Sequence, residues 1–299
     1  MDDELNIKRV SVSAIEDYFY CSLMFKLKHL YKLPYFPGSV KEAFHNAYKT
    51  ALLKFFHEVG LANKPLRKCI AEAQELFVKK MRFALACFEK LDLSGEDLVA
   101  KGVLQLNDVH KLFAPDRDII AAIDLPVTVN YKDIEIDYNI DALIVSNDQT
   151  LARKVRVLAV QDDFSDVALS ARHDSLQFGL MKQSLSEHFM TGKKGLSFSE
   201  AKCEIIKVSG AKSATSTTHY SSSAEDHLSP LVDTAVKGMN NGIYLPTGQA
   251  SKCNSCFFKD VCTAKLAGPD LTKKKHDYLT TKLNAKANRI ASKGTQALG

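Results

Sequence analysis

The pattern of apolar and polar residues predicts that the first part of the chain, residues 1–113, is mostly helical. Apolar side chains recur at helical spacing in residues 40–58, and residues 66–91 have the pattern of a second long helix. Ser13 and Glu16 have the spacing of a capping box, so we expect an earlier helix to begin there. The start of the chain is therefore expected to pack as helices.

From about residue 119 the pattern becomes that of β-strands with one amphipathic helix among them. Residues 133–141 alternate strictly between apolar and polar side chains, as in a strand with one buried face. Residues 141–146 either continue this strand or pair with it. The other strands are predicted at 119–129, 155–160 and 202–208, and the helix at 171–189. Strands that surround a helix in this order predict an α/β core, around which the N-terminal helices pack.

The segments after the core differ from it in composition. Residues 209–224 are rich in Ser, Thr and Gly and are expected to form an exposed loop, and residues 230–241 are predicted to form a helix that Gly242 caps. The chain is therefore divided into four segments. They are a helical N-terminal region (1–113), the α/β core (114–208), a loop, helix and cysteine segment (209–264) and a basic tail (265–299).

Composition excludes several classes of protein. The 299 residues are 45% hydrophobic and 25% charged, with a mean hydropathy of −0.14. No run of about 18 apolar residues is present, so neither a membrane span nor a membrane partner is expected. The acidic N-terminus lacks the apolar stretch of a signal peptide, and seven unevenly spaced cysteines do not form a secreted disulfide pattern. We expect an intracellular protein, in the cytoplasm or nucleoid; a viral origin is equally compatible with the sequence.

Positive charge is concentrated in the basic tail. The whole chain has a net charge of +5, whereas residues 265–299 contain eight Lys or Arg and two Asp, which is a net charge of +6. Such a tail can bind phosphate backbones by counterion release, so DNA is the expected partner. A tail that is only solvated, or that contacts an acidic protein, is the alternative. The candidate DNA-binding residues are Lys273, Lys274, Lys275, Lys282, Lys286 and Arg289.

Cysteines near both ends of the chain indicate a metal centre. Cys253, Cys256 and Cys262 are spaced C-x2-C-x5-C in a polar segment, and Cys21 stands alone near the N-terminus. Four thiolates are the ligands of a [4Fe–4S] cluster, which the sequence favours, and structural zinc is the alternative because it also accepts four cysteines. Ordinary buried cysteines are a third interpretation, but they do not explain Cys-Asn-Ser-Cys among polar residues. The three cysteines expected to be packing residues are Cys69, Cys87 and Cys203.

The order of these features resembles that of a known nuclease family. A helix with a cysteine, a helix with a histidine, a strand that ends in Ile140-Asp141, a further strand, a helix with a glutamine and C-x2-C-x5-C follow one another over about residues 11–264. This order resembles the RecB-like PD-(D/E)XK nucleases that carry an iron–sulfur staple, among them the CRISPR-adaptation exonucleases. The resemblance implies a PD-(D/E)XK-like mixed sheet flanked by helices, a C-terminal iron–sulfur staple and action on DNA.

The resemblance also implies a divalent-metal site. In the family a His and two acids hold Mg²⁺ or Mn²⁺, hard cations that prefer oxygen ligands, and a Lys lies near the attacking water. His45 falls at the position of the metal-binding His, and Asp141 falls at that of the first acid. Lys41 and Asn139 stand where the family usually has Gly. Mg²⁺ or Mn²⁺ is expected only if this site is functional.

The next motif departs from the family pattern. Where the family has an acid and, two residues later, a Lys, this chain has Gln161 and Asp163. An amide binds Mg²⁺ more weakly than a carboxylate, and an Asp in the place of a cation adds negative charge beside an attacking hydroxide, so both changes argue against hydrolysis. Gln177 matches the glutamine of the family's helix motif, whereas Met181 stands where its Tyr would be.

We therefore expect a nuclease-like protein that has lost cleavage and serves as a structural or DNA-binding subunit of a nucleic-acid-processing assembly with other proteins. One alternative is an active metal-dependent DNA exonuclease with a shifted site, in which Asp162 or Asp163 supplies the second acid and Lys182 the cation. The other alternative is a zinc-stabilised protein-interaction module.

Overall fold

The computed structural model of the protein combines α-helices with a mixed β-sheet, so the expected mixture of the two is confirmed. Within the described part of the chain, no helix is both long and apolar enough to cross a membrane. The described residues are 6–36, 40–60, 62, 64–87, 95–109, 118–147, 153–162, 167–184, 187, 200–208, 224–254, 256–263 and 273–296.

The first part of the chain is helical, as its periodicity predicts. Its elements are β1 (Arg9–Ser11), α1 (Val12–Tyr20), α2 (Ser22–Phe25), a π-helical turn (Lys26–Leu30), α3 (Val40–Gly60), α4 (Leu66–Cys87) and α5 (Gly95–Asn107). The capping prediction was wrong by two residues: Ser11, not Ser13, caps α1, because the Ala14 amide donates to Ser11 Oγ at 3.3 Å. Ser13 lies within the first turn of α1.

The sheet is built around one long central strand. The elements are β2 (Asp118–Tyr131), β3 (Ile134–Asn147), β4 (Arg153–Asp162), α6 (Val167–Ser184) and β5 (Glu200–Val208). Strand β3 pairs antiparallel with β2 and with β4, β1 runs parallel to the beginning of β3, and β5 runs parallel to β4. Of the two arrangements predicted for residues 141–146, the structure has the first: they continue the strand predicted at 133–141.

Strand β3 changes the face of its apolar side chains at Asp141. Ile140 packs in the core shared with α6, whereas Ala142, two residues on, packs in the core shared with α3 and α4. Strict alternation would place both on the same face, so the phase of the strand slips between them. The facing position of β2 is also irregular: Asp124 has φ +48°, and Asn139 Nδ2 donates to its carboxylate at 2.9 Å. Asp141 lies on the face opposite Ile140, towards α3, and the slip places Ala142 on that face as well.

The C-terminal segments are helical and pack against the N-terminal ones. They form α7 (Ala224–Asn240), α8 (Ala250–Asn254), α9 (Lys259–Thr263) and α10 (Lys273–Gln296). Gly242 follows α7 with φ +65°, the left-handed conformation expected of a helix cap. The predicted start of α7 was too late, because Pro230 lies inside the helix.

The apolar stripe of the basic tail packs on the chain itself. Leu279 and Leu283 of α10 are buried in a small core that includes Met24, Leu27 and Phe258. The His276 ring also hydrogen-bonds the Tyr31 carbonyl oxygen, with Nε2 at 2.8 Å. Helix α10 therefore packs against the N-terminal turns, the cysteine segment and α4.

We expect Leu279→Ala to lower the free energy of unfolding by about 2–4 kcal/mol, because it leaves a cavity in this small core. Leu104→Ala is the matched control, since Leu104 is 64% exposed and its truncation should change stability by less than about 0.5 kcal/mol. Urea denaturation of both variants measures the difference. Equal losses would show that α10 does not dock on the chain.

Candidate functional site

All four cysteines of the predicted metal centre line one cavity of about 90 Å³. Cys21 lies between α1 and α2, Cys253 lies in α8, Cys256 lies in the turn that follows, and Cys262 lies in α9. The rest of the wall is mostly apolar, with Met24 among its residues. The two ends of the chain therefore present thiols to the same enclosed space.

Hydrogen bonds made by the two residues after Cys21 place it beside the C-terminal segment. Cys21 has an extended conformation, with φ −163°, which ends α1 at this residue. The next residue, Ser22, donates from Oγ to the Leu245 carbonyl at 3.1 Å and accepts from the Leu245 amide at 2.8 Å. The Leu23 amide donates to the same carbonyl at 3.3 Å. This exchange fixes the distance between the N-terminal turn and the chain that leads to Cys253.

The thiols lie within electrostatic range of one another. Burial raises the pKa of the Cys256 thiol, and negative charge on the other three cysteines raises it further. Burial likewise raises the pKa of Cys262, with added contributions from Cys21 and Cys253. Burial, and then negative charge on Cys256, raises the pKa of the neighbouring Tyr20 phenol to about 12. Four thiolates would repel one another here unless a bound cation or cluster compensated their charge.

A zinc ion and a [4Fe–4S] cluster require different arrangements of four cysteines. Tetrahedral zinc requires sulfur atoms roughly 3.8 Å apart, given Zn–S bonds of about 2.3 Å. In a [4Fe–4S] cluster the four cysteines are spread around a larger inorganic core. Among the described residues, no group of three or more His, Cys, Asp or Glu side chains is arranged to hold one metal ion. The cysteines of the cavity have the number and type of ligands that either group takes, and iron, sulfide and zinc analysis distinguishes the two.

The predicted first acid, Asp141, is paired with a lysine. Its carboxylate Oδ1 lies 2.5 Å from Lys49 Nζ, and its side chain is only 3% exposed. Lys49 belongs to α3, one helical turn after the half-buried His45, and so shares its face of the helix. Sequence reasoning missed Lys49, although its spacing from His45 is a signal that was present.

The predicted helix glutamine reaches α1 instead of a metal site. Gln177 Nε2 donates to Glu16 Oε1 at 3.1 Å. Near this pair lies Tyr138 of β3, whose phenol pKa is raised well above its ordinary value by burial and then by the charges of Asp141, Cys203 and Glu16. Tyr138 therefore stays neutral. It lies within electrostatic range of Asp141 in β3, Glu16 in α1 and Cys203 in β5.

The second acid position of the family motif falls at the end of β4. Gln161 is opposite Lys207 of β5 in the strand register, but its side chain and that of Asp162 lie outside the described part of the chain. Asp163 also lies outside the described residues. Lys182, the candidate migrated cation, is half-buried in the last turn of α6. Of the predicted acidic site, the structure describes His45, Asp141, Gln177 and Lys182.

The candidate DNA-binding cations differ in their surroundings. Lys273, Lys282 and Arg289 are exposed, and Lys275 is half-buried. The side chain of Lys274 lies outside the described part. Lys286 is half-buried, and its Nζ donates to the Phe257 carbonyl at 3.1 Å and to Asp260 at 3.2 Å.

A larger cavity of about 560 Å³ opens between α3 and α4. Ala43 and Ala47 lie on its α3 side, and Leu76 and Phe83 lie on its α4 side. None of the predicted site residues lines it. The larger cavity is therefore not part of the thiol cavity or of the Asp141 site.

Comparison with known proteins adds no assignment. No family model matches the chain, and no curated protein matches it. The function is therefore argued from the thiol cavity, the Asp141 site and the basic helix.

Proposed function

We propose that this chain is a nuclease-like protein that has lost cleavage, is held together by a [4Fe–4S] cluster, and serves as a DNA-binding subunit of a larger assembly. The observation that carries the proposal is the ion pair of Lys49 and Asp141. A lysine ammonium lies on the carboxylate oxygen that a catalytic Mg²⁺ or Mn²⁺ would need.

The ammonium competes directly with a metal ion for Asp141. A carboxylate that is almost fully buried cannot turn to solvent to meet a second cation, and a buried ion pair is costly to break, by about 3–5 kcal/mol. The family's second acid is an amide in this chain, Gln161, which offers a metal ion no negative charge in return. Displacement of Lys49 by Mg²⁺ is therefore unfavourable. The Lys49 ammonium acts as an internal substitute for the metal ion at Asp141.

The order of the elements supports the PD-(D/E)XK resemblance. The helix with His45, the strand with Asp141, the strand with Gln161 and the helix with Gln177 follow one another, and β5 then returns parallel to β4. The shared thiol cavity supports the iron–sulfur staple, since it draws Cys21 to the three C-terminal cysteines. The exposed cations of α10 support contact with DNA phosphates.

The second candidate function is an active metal-dependent exonuclease with a shifted site. The same ion pair is the observation that favours it, because a lysine beside the first acid lies where a migrated catalytic cation would be needed. In that case Lys49 would release Asp141 when metal binds and would then contact the scissile phosphate or the attacking water. The two functions make opposite predictions for cleavage.

We expect the unmodified protein to bind DNA equally well with EDTA or with Mn²⁺ and to release no nucleotides, because Asp141 is neutralised by Lys49. End-labelled single- and double-stranded DNA, incubated with anaerobically purified protein and Mn²⁺, tests this. Asp141→Asn is the matched control, since it keeps the shape of the side chain. Digestion that needs Mn²⁺ and disappears in Asp141→Asn would refute the proposal and establish the exonuclease.

A further inference from the structure

One flank of α10 carries cations and an exposed aromatic ring in line. The burial of Leu279 and Leu283 fixes the orientation of the helix on the chain. At 100° per residue, a second line of positions then lies beside the buried stripe, separated by three, four and seven residues. These positions are Lys275, Tyr278, Lys282 and Arg289.

The flank is uniform in charge and long enough for several nucleotides. Lys275 and Arg289 are separated by roughly 21 Å along the helix axis, and Lys282 lies midway between them. The acid of this helix, Asp277, falls on the opposite side by the same helical count. On α10 itself the three cations of this line are therefore not interrupted by a carboxylate; Asp260 of α9 lies beside the line, where it pairs with Lys286.

Tyr278 is the unusual member of this line. Its side chain is 59% exposed, although it lies one residue before the fully buried Leu279. Its neighbours on the same flank are a lysine one turn before it and a lysine one turn after it. An exposed aromatic ring between two cations offers a flat apolar surface on which a planar group can stack. The cations on either side favour a ligand that carries negative charge on both sides of that planar group.

We infer that this flank of α10 binds single-stranded nucleic acid, with phosphates on the cations and one base stacked on Tyr278. The inference rests on the proposed DNA-binding function and adds the form of nucleic acid. Bases expose their faces only when a strand is unpaired, so a ring that stacks on a base favours binding of a single strand. A duplex could use the cations of α10 but not the ring, because its base faces are covered by their neighbours.

The test uses the full-length protein and a fluorescent oligothymidylate of about 20 nucleotides, longer than single-strand sites of one small domain. A duplex of equal length and mixed sequence is the comparison, and anisotropy measures both affinities. Tyr278→Ala should weaken single-strand binding by about tenfold and duplex binding by less than about twofold. Tyr278→Phe keeps the ring and should restore single-strand binding.

Two further variants separate stacking from charge and from folding. Lys282→Gln should weaken both ligands and reduce the magnitude of the single-strand log–log salt slope by about 0.7. Asn284→Ala alters an exposed residue on the opposite side of α10 and should change neither affinity. Equal melting temperatures of the variants confirm that the helix stays docked.

Each outcome bears on a distinct claim. If Tyr278→Ala binds the single strand as tightly as the unmodified protein does, the stacking inference is wrong while DNA binding stands. A duplex preference in the unmodified protein also overturns the inference. If the unmodified protein binds neither ligand, the proposed DNA-binding function fails together with it.

Discussion

Cys21→Ser is expected to remove the brown colour, the iron and the acid-labile sulfide from protein purified without oxygen, and to make most of it insoluble. Serine keeps the size of the side chain but does not replace a thiolate in a cluster. Cys253, Cys256 and Cys262 would still face the cavity, yet the cluster would lack its fourth ligand. Iron and sulfide analysis, with absorbance in the visible range, measures the loss.

The expected loss is large because cluster binding contributes to folding. Metal-binding energy of structural sites is folding energy, on the order of 10 kcal/mol, which is comparable to the whole stability of a domain. The cluster would also close a loop of more than 200 residues between Cys21 and Cys253. A covalent link of that length restricts the unfolded chain by about 5 kcal/mol in the loop-entropy estimate. The Ser22–Leu245 hydrogen bonds contribute far less than either.

Cys87→Ala is the matched control for this loss. Cys87 is buried in α4, and its thiol donates to the Phe83 carbonyl, so its replacement should cost some stability. It does not line the thiol cavity, so iron and sulfide should remain at the level of the unmodified protein. Unmodified protein that contains zinc and no sulfide would support the zinc-stabilised module. Full iron content in Cys21→Ser would show that Cys21 is not a ligand.

The sequence predicts those features that depend on neighbouring residues. Helices α3 and α4 follow from apolar spacing within single segments, and the three C-terminal cysteines form one short motif. The approach of Cys21 to that motif was expected because a metal centre with three clustered cysteines needs a fourth ligand, and the resemblance implies the same staple. Its physical cause is long-range: the hydrogen bonds of Ser22 with Leu245 and the small core around Leu279, which join residues far apart in the chain.

The cation that pairs with the Asp141 carboxylate could not be predicted in the same way. Lys49 has the sequence context of an ordinary lysine on an amphipathic helix, for which solvent is the default surroundings. Alternation places Asp141 on the face of β3 opposite Ile140, but it does not show which helix covers that face. The packing of α3 on that face brings Lys49 to the carboxylate, and this packing is a long-range feature of the fold.

Lys49→Met is expected to destabilise the protein by about 3–5 kcal/mol in the absence of metal, because it leaves the buried Asp141 carboxylate without its cation. Methionine fills a similar volume, so the effect reports the lost charge. Mn²⁺ should then recover part of the stability, about 2.7 kcal/mol at a hundredfold excess over its dissociation constant. The unmodified protein should gain nothing from Mn²⁺. Thermal denaturation with EDTA and with Mn²⁺ measures both effects.

The double variant Lys49→Met, Asp141→Asn decides the cause. It removes both charges from the site, so it should fold better than Lys49→Met and should lose the response to Mn²⁺. Lys68→Met, which alters an exposed lysine of α4, controls for the change in net charge. A Lys49→Met protein that is as stable as the unmodified one would show that the ion pair does not neutralise Asp141. If the unmodified protein instead cleaves DNA and Lys49→Met does not, Lys49 is a catalytic cation. The internal-substitute proposal would then give way to the exonuclease, because the same ammonium cannot both exclude the metal and assist it.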